Sequence, residues 1–134
     1  MSATFDTTTL HAVVPLAGLL GIRVAQAAPD AVQLELDWRE ELCTAAETMH
    51  GGALMSLADT AGAVCAFLNL PDGATGTTTI ESKTNLLAPV RGGTVTATAT
   101  PLRAGRTLIV VETELRTADG LVAKTLQSQI VLGG

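Results

Sequence analysis

The chain is poor in aromatic and basic side chains. Its 134 residues include no tyrosine, one tryptophan and two phenylalanines, which leaves little with which to stack on unpaired bases. Eight lysines and arginines stand against thirteen aspartates and glutamates, a formal net charge of -5. Neutralising nucleic-acid phosphates takes a basic footprint, so this balance argues against such a partner. No apolar run approaches the roughly 20 residues that cross a bilayer, which argues against membrane insertion. The opening MSATFDTTTL lacks both a cationic stretch and a long apolar one, so no secretory leader is expected and a cytoplasmic location is. Cysteine is scarce as well. Cys43 and Cys65 show no metal-type spacing, and with His11 and His50 they make no zinc set, so neither metal nor cofactor is expected. A G-x-S-x-G elbow and a G-x-x-x-x-G-K phosphate loop are both missing.

What is present is an apolar core. At 47% hydrophobic residues, a chain of this length can close one domain. From His50 to Leu68 the residues Leu54, Leu57, Ala58, Ala61, Val64, Cys65 and Leu68 recur at steps of three and four, the period of one helix face. Met55, Gly62, Ala63, Ala66 and Phe67 make the other face nearly as apolar, so the spacing predicts a buried helix, with Cys65 a reduced interior thiol. Asp59 alone carries charge in it. A buried carboxylate is costly unless it is partnered, and no lysine or arginine lies between Gly51 and Pro71. Two roles are open to Asp59: a carboxylate hydrogen-bonded to hydroxyls or amides of a neighbouring strand, or a general base or nucleophile in a dry pocket.

His50-Gly51-Gly52 leads into this helix without bulky side chains. Free amides at a helix start carry partial positive charge, and glycine lets a ligand oxygen approach them, which suits a carbonyl or oxyanion. Asp59 is eight residues past Gly51, roughly 12 Å along the axis at 1.5 Å per residue. One helix cannot bring both groups to one carbon. Two antiparallel helices related by a two-fold axis can, so the spacing predicts a dimer with shared sites. Ser56, His50 and Asp59 do not form a triad, because residues six apart on a helix point to different sides.

Around the helix the pattern is that of strands. A short lead-in helix is expected from Thr7 to Leu16, capped by Thr8 or Thr9 and limited by Pro15, with Gly18 to Gly21 as a turn. Ile22 to Ala27 and Val32 to Trp38 read as a hairpin about Pro29-Asp30, and Arg39 to Met49 as an irregular approach loop. After Asn69 to Gly73 the period becomes two, giving strands over Thr77 to Leu87, Thr94 to Ala104, Arg106 to Thr117 and Leu121 to Val131 in a meander, with Asp119-Gly120 a hairpin signal. The expected class is α+β, an antiparallel sheet wrapped on one long helix.

His50-Gly51-Gly52 followed by Ser56-Leu57-Ala58-Asp59-Thr60-Ala61 resembles the signature of the hotdog-fold acyl-CoA thioesterases of the phenylacetate-pathway (PaaI-like) family. The likeness extends to Asn85-Leu86-Leu87-Ala88-Pro89 and Ala104-Gly105-Arg106. It implies a single hotdog domain over 1–134, with 1–14 as lead-in, that hydrolyses an acyl-CoA thioester, aryl or phenylacetyl in type, to free acid and coenzyme A. It implies Asp59 and the Gly51 amide of a partner subunit as catalytic groups, His50 shaping their loop, and Gly52, Thr44 and Thr79 on the substrate side. Arg91, Arg103 and Arg106, otherwise solvated strand ends like Lys83, would meet the coenzyme A phosphates. A homodimer would be the minimal unit and a homotetramer, a dimer of dimers, the assembly. The chain departs from the family at Thr44, usually Asn or Gln, and at Glu47, often Gly. Thr44 leaves open a rival reading as an acyl-CoA-binding or sensor module without turnover.

Overall fold

The computed structural model describes residues 5–133. The hairpin forms as β1 (Arg23–Ala28) and β2 (Ala31–Asp37), paired antiparallel with Ala28 opposite Ala31. Along β2, Val32, Leu34 and Leu36 are buried while Gln33 and Glu35 are only half-buried, the alternation expected of a strand with one wet face. The long helix runs Gly51–Phe67, and strands follow at Gly76–Leu86 (β3), Thr94–Ala104 (β4), Leu108–Thr117 (β5) and Gly120–Leu132 (β6).

The six strands form one antiparallel sheet in the order β1-β2-β4-β5-β6-β3. The helix lies across the inner face of that sheet. It carries the chain from β2 to the far edge, so β3 pairs with β6 and β4 takes the place beside β2. Only β4, β5 and β6 follow one another as the expected meander does. β5 starts at Leu108 rather than Arg106 because Gly105-Arg106-Thr107 form the loop, with the Gly105 amide donating to Leu108 O at 2.9 Å. Thr117 pairs with Gly120, which sets that turn at Ala118-Asp119, one residue earlier than Asp119-Gly120 suggested.

The lead-in is two helices, α1 (Thr7–Val13) and α2 (Pro15–Leu20), with the long helix as α3. Asp6, not Thr8 or Thr9, caps α1 by accepting from the Thr9 amide. Pro15 opens α2, where its fixed φ and missing N–H are harmless, instead of limiting α1. Gly21, at φ 83°, stops α2 in the left-handed region. Two 3₁₀ turns, Glu40–Leu42 and Ala45–Glu47, fill the approach loop. Cys65 is buried and free, and loss of hydration pushes its thiol up to about 11.

Candidate active site

The two halves of the sequence signature sit at different places on α3. At its start, His50 is the N-cap, and its Nδ1 accepts from the Gly52 amide at 2.7 Å. A side chain at 52 would crowd that ring, which explains the second glycine. The imidazole is exposed, and its ring nitrogen ties the loop to the first turn of the helix. The Gly51 N–H donates to no acceptor among the described residues. Gly51 lines a cavity of about 370 Å³ together with Thr44, Met49, Leu54, Leu86 and Val90 among others. This end is apolar apart from hydroxyls and free amides. Leu86 approaches so closely that a side chain at 51 would overlap it.

Glu47, where the family often has glycine, takes φ 57°, beside Ala46 at φ 60°. The backbone there is left-handed, which favours glycine and costs other residues about 1–2 kcal/mol.

Asp59, two turns on, is exposed in the single chain rather than buried. The helix is not enclosed all round: Met55, Asp59 and Phe67 lie on a flank that the chain's own sheet does not cover. Its carboxylate is nevertheless partnered. Oδ1 accepts from Gln127 Nε2 at 2.5 Å and from Thr79 Oγ1 at 3.3 Å, while Oδ2 accepts from no donor among the described residues. The strand-bonded role thus holds for one oxygen and leaves the other free for chemistry.

Gln127 and Gln129 are the site residues that sequence reading missed. Both are buried, and they alternate with Thr125 on the inner face of β6. Three polar side chains at period two on a buried face are the signal that could have found them. Gln129 Nε2 donates to Thr79 Oγ1 at 2.5 Å, and Gln127 Nε2 donates to it at 3.2 Å. A hydroxyl has two acceptor positions and one proton, so Thr79 spends its proton on Asp59. Ser56 bonds back to Gly52 O at 2.8 Å, which occupies its hydroxyl.

Thr44 and Gly51 share the cavity, and Thr79 and Asp59 share the polar cluster, but the cavity lining does not include Asp59. Arg91 borders a cleft of about 700 Å³ that shares Pro89 and Val90 with the Gly51 cavity. Arg103 and Arg106 lie at the opposite end of β4, whose eleven residues span roughly 33 Å at 3.3 Å per residue. One chain does not gather these three arginines about one ligand.

A family model for the thioesterase superfamily matches residues 46–124. A relative from Saccharolobus solfataricus, described provisionally as an esterase, is 36% identical over 114 residues, covering 84% of this chain and 80% of its own. The crystal structure of a thioesterase from Haemophilus influenzae superposes with a TM-score of 0.88 at 27% identity, covering 98% of this chain and 93% of that one. A thioesterase family protein from Silicibacter pomeroyi gives 0.86 at 26% identity, covering 96% of both chains. With one long helix across a six-stranded antiparallel sheet, and with these matches, the chain belongs to the thioesterase superfamily and has its hotdog fold.

Proposed function

We propose that the protein hydrolyses an acyl-CoA thioester at a site shared between two subunits, in the manner of PaaI-like thioesterases. The observation that carries this reading is the pairing of contacts along β3. Thr79 holds Asp59, and Leu86, seven residues on, lies against Gly51. β3 is an edge strand of eleven residues whose outer backbone groups are unpaired by its own sheet, and it exposes Ile80 and Leu86. Such an edge is a template for another strand. If two copies pair antiparallel with their centre between Ser82 and Lys83, Thr79 of one lies opposite Leu86 of the other. Asp59 then comes level with the partner's Gly51, which cures the roughly 12 Å separation within one helix.

In this arrangement the thioester carbonyl oxygen accepts from the free Gly51 amide, and charge develops there as the carbon is attacked. Asp59 Oδ2 either deprotonates the attacking water or attacks directly to give a mixed anhydride that water then opens. Both routes release coenzyme A as thiol. The acyl chain would fill the apolar cavity between Leu54, Leu86 and Val90, which Thr44 also lines. The phosphates would meet Arg91 from the subunit lending Gly51, or Arg103 and Arg106. A tetramer would bury Leu126, Ile130 and Leu132, which lie exposed on β6.

Asp59→Asn should keep the fold, read by circular dichroism, and lower thiol release from benzoyl-, phenylacetyl- and hexanoyl-CoA by three orders of magnitude or so, as loss of a reacting group does. Undiminished release would remove Asp59 from the mechanism. Tight binding without turnover by the wild type, across the same esters, would favour the sensor reading that Thr44 raises.

A further inference from the structure

Gly62 stands in the interior of α3, where glycine is among the poorest helix formers. Gln127 lies fully buried beneath it, and its Oε1 has no donor among the described residues. Each choice weakens the fold. Alanine at 62 would suit the helix better, and an apolar side chain at 127 would suit the core better. The two are linked, because a Cβ on residue 62 would overlap Gln127 Oε1 and crowd its Cδ. The missing side chain is the notch in which the carboxamide sits.

What this notch achieves is seen at the other end of the amide. With Oε1 turned to the Gly62 backbone, Nε2 is delivered to Asp59 Oδ1 and to Thr79 Oγ1. The reverse orientation would set an amide oxygen against a carboxylate, so charge fixes the assignment. Asp59 is exposed, and an unheld carboxylate there would sample several rotamers. Two donors on one oxygen leave it a single useful pose. We propose that Gln127, seated at Gly62, is a positioning residue that clamps Asp59 Oδ1 so that Oδ2 alone meets the carbonyl or water. Gln129 serves the same end by orienting the Thr79 hydroxyl. This inference rests on Asp59 being the reacting group of the proposed thioesterase.

The test uses the full chain and thiol release from benzoyl-, phenylacetyl- and hexanoyl-CoA. Gln127→Met keeps the volume and removes the donor. It should lower kcat about 10–100-fold, the scale of a misplaced reacting group, leave KM within about twofold, and leave Tm at or above that of the wild type. A purely structural glutamine predicts the opposite, a lower Tm with kcat intact, and that result overturns the proposal. Gly62→Ala should reproduce the fall in kcat, yet cost nothing further in a Gln127→Ala background, where no carboxamide remains to displace. An equal cost in both backgrounds also overturns it. Should Gln127→Met not fold, Thr79→Val at the exposed edge strand must lower kcat without moving KM, and an unchanged kcat counts against the clamp. Asp59→Asn separates the two levels. If it is inactive while Gln127→Met is not impaired, only the clamp fails; if Asp59→Asn is fully active, the reading of Asp59 fails and the clamp with it.

Discussion

The sheet beneath α3 has two unlike halves. Under one side, β2, β4 and β5 present Val32, Leu34, Leu36, Val95, Ala97, Ala99, Ile109 and Val111, all buried and apolar. Under the other, β6 and β3 present Thr125, Gln127, Gln129, Thr84 and Thr79, joined by hydrogen bonds such as Thr84 to Thr125 at 2.7 Å. The first half excludes water and holds the helix in place. The second leaves a buried acceptor, Gln127 Oε1, without a partner among the described residues, a cost of about 1–3 kcal/mol, and accepts a mid-helix glycine, worth about 1 kcal/mol against alanine. The apolar burial and the candidate site lie on different strands, and the candidate site is where local rules are broken.

If the halves differ in this way, substitutions in them should separate two readouts. Leu34→Ala empties a fully buried position on the apolar half and should cost about 2–5 kcal/mol of unfolding free energy by denaturant titration. The remaining folded protein should keep its kcat; a large loss of kcat there would blur the division. Thr113 lies on β5 at the seam, buried, and its hydroxyl has no partner among the described residues. Thr113→Val removes that orphan at nearly constant volume and should raise stability by about 1 kcal/mol without altering turnover. A drop in stability would show that the hydroxyl has a partner after all.

The smallest effect lies at the exposed end of β2, away from the core face of either half. The Arg23 guanidinium, at 2.8 and 3.0 Å, and then the Thr94 hydroxyl hold the Asp37 carboxyl below its ordinary 3.8. A lowered carboxyl pKa stabilises the fold above the unfolded value, and that contribution disappears as pH falls through the folded one. Wild type and Asp37→Asn should therefore differ in Tm near neutrality and converge below about pH 3.8. The pair is exposed, so the difference should be slight.

The apolar half was legible in the sequence because periodicity is a local signal: α3, the β1-β2 hairpin and the alternation of β2 are all written in neighbouring residues. Strand order was not. The position of β3 beside β6 depends on where α3 delivers the chain, which no local pattern records. The exposure of Asp59 escaped for a related reason. An all-apolar helix predicts enclosure, but the chain's own sheet covers only part of it, and Met55 and Phe67 are left outside as well. His50, Gly51 and Asp59 stand out in the sequence as candidates, Asp59 as the lone charge of the helix and the other two through the family resemblance. Gln127, 68 residues from Asp59, was not legible, since only the packing of α3 across β6 brings it there.

The central claim is that each reacting carbonyl is served by Asp59 of one copy and Gly51 of another. Gly51→Pro deletes the amide proton at a helix position that favours proline, after a His50 whose φ of -60° and ψ of 135° suit it, with Leu86→Ala added to make room. Alone it should lower kcat about 10²–10³-fold, as loss of one oxyanion donor does. Co-expressed with Asp59→Asn chains, it gives mixed dimers in which one of the two sites is intact. Random pairing makes half the dimers mixed, so about a quarter of wild-type activity should return. If the mixture stays at the level of the two inactive variants, Asp59 and Gly51 do not meet across subunits.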